Sequence, residues 1–217
     1  ALETVGFYAV INHGIDWQKV ENVFAQAKRF HEQPTPAKLD CAFSADFSGY
    51  IPSAAHVIRT SQVNTNTKGD LNEAYFIERE APPNGYQGEL ADEFVSPNQW
   101  PKLPEFRTIT LDYFNAMEGF ARSLLPLYAA ALKLDIDWFE EAFRWPQASL
   151  RLSHYPVSER EDNQFGIAPH TDAGFLTVLP QSDVTGLHIR VAGEDWIEAP
   201  RVHEGLFVNS GDMLKRW

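Results

Sequence analysis

Only one cysteine, Cys41, occurs in 217 residues, so no intramolecular disulfide can form. The expected compartment is therefore reducing and cytoplasmic, with Cys41 acting as a small packing residue. Basic residues are also scarce. Lys and Arg number 18 against 30 Asp and Glu, which leaves a formal net charge of −12. A protein that grips a phosphate backbone needs a basic footprint, so no nucleic-acid partner is expected. Long apolar runs are missing too. The longest candidate, Leu124 to Leu134, is interrupted by Pro126 and Lys133, so no membrane partner is expected. The first residues lack the basic stretch and apolar stretch of a secretory leader. No internal repeat or low-complexity tract is visible. The length suits one domain with a helical flank, and the composition says nothing about oligomeric state. The chain opens at Ala1 without an initiator Met and closes at Trp217 straight after an apolar run, so the expectation is a fragment.

What is present falls into two patterns. Up to residue 148, helical spacing dominates. Val5 to Ile11 reads as a buried strand, Asn12 to Ile15 as a turn, and Asp16 as the N-cap of a helix. That helix would bury Val20, Val23, Phe24, Ala27 and Phe30 on one face. Pro34-Thr-Pro-Ala-Lys38 ends it, because proline cannot donate and fixes φ. Ser48-Gly-Tyr-Ile-Pro52 leads into a strand, residues 53 to 69 form a polar loop, and Asp70 to Glu78 form another strand. The Pro-rich segment 81 to 104 reads as irregular surface. A long helix is expected from Phe106 to Lys133, with Ile109, Tyr113, Met117, Phe120 and Leu124 as its apolar stripe and a kink at Pro126. Asp137 to Phe143 reads as a short capped helix. From Ser149 the period changes to two, with short strands between Gly, Pro and Asp turns. The expected division is a flank, 1–148, and a strand-rich core, 149–217, together one structural unit.

The chemistry concentrates in Gly166-Ile-Ala-Pro-His-Thr-Asp-Ala-Gly-Phe-Leu-Thr-Val-Leu179. His170 and Asp172 stand two apart, and in a strand such residues share a face. One imidazole and one carboxylate side by side can ligate a cation, and a 2-His-1-carboxylate set with open positions suits non-haem Fe(II). On the strand before them, Arg151, Ser153 and Tyr155 also share a face, with His154 pointing away. Arg151 reads as a salt-bridge partner. His13, beside Gly14 in a turn, reads as a backbone hydrogen-bonding residue.

Taken together, His-Tyr-Pro156, His170-x-Asp172, Gly186-Leu-His-Ile-Arg190 and Asn209-Ser-Gly-Asp-Met-Leu214 resemble the Fe(II)- and 2-oxoglutarate-dependent dioxygenases of the isopenicillin N synthase-like family, and the likeness runs from Gly6 to Leu214. The resemblance implies a mixed α and β fold, a double-stranded β-helix (jelly-roll) core with flanking N-terminal helices, here truncated at the C-terminus. It implies that Fe(II) is held by His170 and Asp172, and that Tyr155 and Ser153 contact 2-oxoglutarate, Ser153 standing where the family has Asn. It implies O2 and a small organic substrate whose C–H bond is oxidised with release of succinate and CO2. Tyr50, in the family's Gly-Tyr, and Phe175 become candidate substrate contacts, with packing roles as the alternative. Glu73, in the family's Asp-x-x-Glu, becomes a structural carboxylate. Gly211 and Asp212 would form a tight turn between barrel strands. The family's third ligand, a more distal His, and its Arg-x-Ser clamp have no counterpart after Asp172, since His188 and His203 fit neither position. Two alternatives stay open: an oxidase of the same family that does not use 2-oxoglutarate, and a jelly-roll binding protein with a degenerate metal site.

Overall fold

The computed structural model describes residues 4–45, 47–59, 61, 63–80, 97–159, 161–191 and 195–216. Pro82, Pro83 and most of the Pro-rich segment lie outside the described residues.

The chain forms β1 (Phe7–Val10), α1 (Trp17–His31), α2 (Thr35–Leu39), β2 (Gly49–Ile51), β3 (Glu73–Glu78), α3 (Phe106–Ala131), β4 (Ser149–His154), β5 (Leu176–Pro180), β6 (His188–Arg190), β7 (Trp196–Glu198), β8 (Leu206–Ser210) and α4 (Asp212–Lys215). All paired strands are antiparallel. One sheet has the order β1-β8-β5, a second β2-β3-β4, and β6 pairs with β7. No helix among the described residues is long and apolar enough to cross a membrane.

Two compact units are distinguished, each assembled from separate stretches of chain: Ala1–Val20, Asn115–Phe139 and Thr171–Trp217 in one, Glu21–Phe114 and Glu140–His170 in the other. In the first, β8 is the central strand and Leu206, Phe207 and Val208 are buried. Ile189, Ala199 and Phe207 form a cluster, with Phe7, Leu187 and Val202 packed against it. In the second, the core is aromatic. Phe30 meets Tyr75 at 4.6 Å, Phe106 at 5.8 Å and Tyr50 at 5.8 Å between ring centroids. Tilted and edge-on rings at these separations add attraction beyond the area they bury.

Several local expectations change. The buried face of α1 runs through Val20, Val23, Gln26 and Phe30, and Phe24 is exposed. Gln26 tolerates burial because its Oε1 accepts from Arg29 at 3.0 Å. The prolines at 34 and 36 do not only end α1. Pro34 occupies the N-cap of α2 and Pro36 its first turn, where a missing N–H costs nothing. Residues 136–143 form turns rather than a helix, with the Arg144 amide bonding back three residues to the Glu141 carbonyl at 3.2 Å. Asp16 does cap α1, accepting from the Gln18 amide at 3.1 Å.

Candidate metal centre

His170 and Asp172 are not on a strand. Gly166, Pro169 and Gly174 interrupt the extended pattern, and pairing starts only at Leu176. What holds the two side chains is hydrogen bonding to their own surroundings.

His170 belongs to the second unit. Its Nδ1 lies 2.8 Å from the Ala168 carbonyl oxygen. A carbonyl only accepts, so Nδ1 carries a proton, and in the neutral ring the lone pair then stands on Nε2. Metal-bound imidazoles commonly donate their other N–H to such a partner. Asp172 belongs to the first unit. Its Oδ2 accepts from the Thr177 hydroxyl at 2.5 Å and from the Asn209 amide at 2.7 Å. Its main-chain carbonyl accepts from the Asp212 amide at 2.7 Å, and the Asp212 carboxylate accepts from the Thr171 hydroxyl at 3.0 Å. Asp212 thus braces the segment around Asp172, which gives the Asn-Ser-Gly-Asp block its purpose. Gly211 and Asp212 do not turn into another strand, as the sequence suggested. Gly211 is the N-cap of α4, because residues 212–215 close a helical turn. An imidazole and an oriented carboxylate suit Fe(II) by donor type.

Gly211 has no space for a side chain. A Cβ there would lie 1.9 Å from the Gly174 carbonyl oxygen and 2.9 Å from that of Asp172. Gly211→Ala is therefore expected to cost about 1–3 kcal/mol through forced backbone displacement, read as a lower denaturation midpoint. An unchanged midpoint would show that the segment yields freely.

Ser153 precedes His154 at the end of β4, Tyr155 follows directly after the strand, and burial raises the Tyr155 pKa with the Ser153 side chain opposing that shift. Tyr155 is half exposed, and its ring covers Gly166, where a Cβ would come within 3.0 Å of Cδ1. Arg151 is paired with an amide instead of a carboxylate. It donates to Asn72 Oδ1 at 2.7 Å and lies 5.3 Å over the Phe76 ring. Phe175 is buried at the edges of Tyr128 and Phe139, with centroids 5.5 and 5.1 Å away, which is a packing role. His13 bonds backbone, as expected: its Nδ1 accepts from the Ile15 amide at 3.1 Å and its Nε2 donates to the Glu204 carbonyl at 2.9 Å.

A second polar group was not legible beforehand. His31, Glu73 and His154 present ligating atoms within 4.8 Å of one another, the one such set among the described residues. His154 turns toward Glu73 and donates from Nδ1 to Oε1 at 2.8 Å, so it does not simply point outward. His31 donates from Nε2 to the Leu152 carbonyl at 3.0 Å and faces Glu73 Oε1 with Nδ1 at 3.2 Å. Burial lowers its pKa despite the opposing Leu152 bond and Glu73 charge. The other carboxylate oxygen accepts from Lys38 at 2.7 Å and from the Tyr50 hydroxyl. Burial alone would raise the Glu73 pKa, but the bonds from Lys38, Tyr50 and His154 outweigh it and bring it down to about 2. The buried Lys38 ammonium already supplies the counter-charge, and a divalent cation would be forced against it. We therefore read this set as a structural ion-pair knot. Tyr50 is 2 % exposed and donates its hydroxyl to Glu73, which favours the packing alternative.

Two families match the sequence. The non-haem dioxygenase in morphine synthesis N-terminal family covers residues 1–103, and the 2OG-Fe(II) oxygenase superfamily covers residues 146–217. The 2-oxoglutarate-dependent dioxygenase citB of Monascus ruber is 32% identical over 229 aligned residues, which cover 100% of this chain and 67% of the relative. The chain belongs to the Fe(II)- and 2-oxoglutarate-dependent dioxygenases. Solved structures show the same fold for this dioxygenase chain. A 2OG-Fe(II) oxygenase family protein from Caulobacter crescentus superposes with a TM-score of 0.82 at 25% identity, over 99% of this chain and 68% of that one. A full-length Neurospora crassa protein in complex with alpha-KG gives a TM-score of 0.81 at 24% identity, over 100% of this chain and 66% of that one. The chain thus spans about two thirds of the length of these relatives.

Proposed function

We propose that this chain carries the metal- and co-substrate-binding face of an oxidoreductase that uses Fe(II), 2-oxoglutarate and O2 to oxidise a C–H bond of a small organic substrate. The observation that carries the proposal is the preparation of an imidazole and a carboxylate, with His170 held by Nδ1–H donation to Ala168 and Asp172 oriented by Thr177 and Asn209. Family membership supports it independently. Residues 149–217 are taken as the core of a jelly roll and 1–148 as its flank. Bound Fe(II) and 2-oxoglutarate supply the oxygen activation, with succinate and CO2 as products. The chain's own residues hold and orient: His170 and Asp172 ligate, and Tyr155 with Ser153 offers hydroxyls to the 2-oxoglutarate carboxylate.

The test is an anaerobic titration of the full-length protein with Fe(II), then 2-oxoglutarate. The expected result is the visible charge-transfer band of a keto acid chelated to iron. Iron binding without that band would point to the oxidase that does not use 2-oxoglutarate. No iron binding would leave a binding protein with a degenerate site.

A further inference from the structure

Asp70 is a buried carboxylate, 5 % exposed, that no part of the proposed chemistry uses. Its Oδ1 accepts from the Ala168 amide at 2.9 Å. Ala168 is itself buried, and its carbonyl is the group that accepts from His170 Nδ1. The following residues run along the same stretch of chain. The Leu71 amide bonds the Phe165 carbonyl at 2.9 Å, and the Asn72 amide bonds the Gly166 carbonyl at 2.9 Å. The Asn72 side chain adds a second bond to Gly166 at 2.5 Å, while its own oxygen is held by Arg151. Pro169, between Ala168 and His170, has a fixed φ.

We infer that Asp70 is the positioning residue for the candidate iron ligand His170, acting through the Ala168 peptide; this rests on the iron-binding role proposed above. The chain of bonds has a direction. The Asp70 carboxylate draws on the Ala168 N–H, which polarises that peptide and strengthens its carbonyl as an acceptor. The carbonyl then keeps the His170 proton on Nδ1 and the lone pair on Nε2, the form that ligates a metal. Asp70 touches neither metal nor substrate in this scheme. Without it, the Ala168 peptide can tilt, and His170 loses the acceptor that fixes both its tautomer and its ring plane.

The test reads the tautomer on metal-free, 15N-histidine-labelled protein by long-range proton–nitrogen NMR, and then the Co(II) and Fe(II) affinities. Wild type is expected to show His170 with Nδ1 protonated. Asp70→Ala is expected to show mixed tautomers and metal affinity about 10–100-fold weaker. Asp70→Asn keeps an oxygen acceptor at the same place and is expected to restore the wild-type tautomer with a smaller loss of affinity. A merely structural Asp70 would lower the melting temperature without moving the tautomer of the folded fraction. Unchanged tautomer and affinity in folded Asp70→Ala overturn the inference, and so does a scrambled tautomer in folded Asp70→Asn, which decides the matter if the alanine variant does not fold. Absence of metal binding by wild type overturns the iron-binding role itself, and the inference with it.

Discussion

Replacing Glu73 with alanine is expected to destabilise the protein by about 3–5 kcal/mol, because it strands a buried ammonium. The Lys38 side chain is 7% exposed and that of Glu73 8%, so solvent screens their contact little. Tyr50 would lose its hydroxyl partner and His154 its acceptor in the same step. A folded-state pKa of about 2 against an ordinary 4.5 gives the pH dependence. The unfolded chain takes up a proton near 4.5 and the folded chain only near 2. The Glu73 contribution is therefore complete above about pH 4.5 and is lost as pH falls through about 2. Denaturant melts of wild type and Glu73→Ala at pH 7 and at pH 3 measure both effects, with the gap between the two proteins narrowing at the lower pH. A gap below about 1 kcal/mol at pH 7 would mean that the pair behaves as a solvated surface bridge. Removing both charges, in Glu73→Leu with Lys38→Met, should recover much of the loss, since a buried pair replaced by apolar groups is often close to neutral.

This knot shows why part of the molecule could be read from its sequence and part could not. The Asp16 cap and the His13 bond to the Ile15 amide depend on neighbours within a few residues, and local pattern reports such things well. The knot joins positions 31, 38, 50, 73 and 154, which come from α1, α2, β2, β3 and β4. No periodicity relates them. His31 gave no signal, since a histidine at a helix end usually sits in solvent. The same limit applies to His170 and Asp172. Their spacing was visible, but the devices that hold them, Asn209 from β8 and the Ala168 carbonyl backed by Asp70, are products of the fold. The strand expected under them failed for a local reason that Pro169 and Gly174 already carried. For Tyr50 and Phe175 the sequence left substrate contact and packing side by side, and the burial of both side chains, which depends on residues far away in the chain, supports the packing alternative.

Asp172→Ala and His170→Ala are each expected to weaken Fe(II) binding by more than the 10–100-fold that loss of an outer partner costs, and to abolish succinate formation. The comparison that gives these variants meaning is with Thr177→Val and Asn209→Ala. Each removes one donor to Asp172 Oδ2 and leaves the carboxylate in place. Their affinities should fall within the 10–100-fold range, between wild type and Asp172→Ala, because the ligand is still present but less well aimed. His154→Ala supplies the opposite control. His154 ring chemistry alone would qualify it as a ligand beside Glu73 and His31. With the Lys38 ammonium 2.7 Å from the same carboxylate, it should leave iron loading unchanged and show its cost in stability. Isothermal titration with Fe(II) under argon, followed by succinate analysis, ranks all five variants. The order wild type, outer-partner variants, ligand variants identifies His170 and Asp172 as the iron ligands. If instead Asp172→Ala binds iron as wild type does while His154→Ala does not, the metal belongs between β3 and β4, and Lys38 has to give up its place beside Glu73 to admit it.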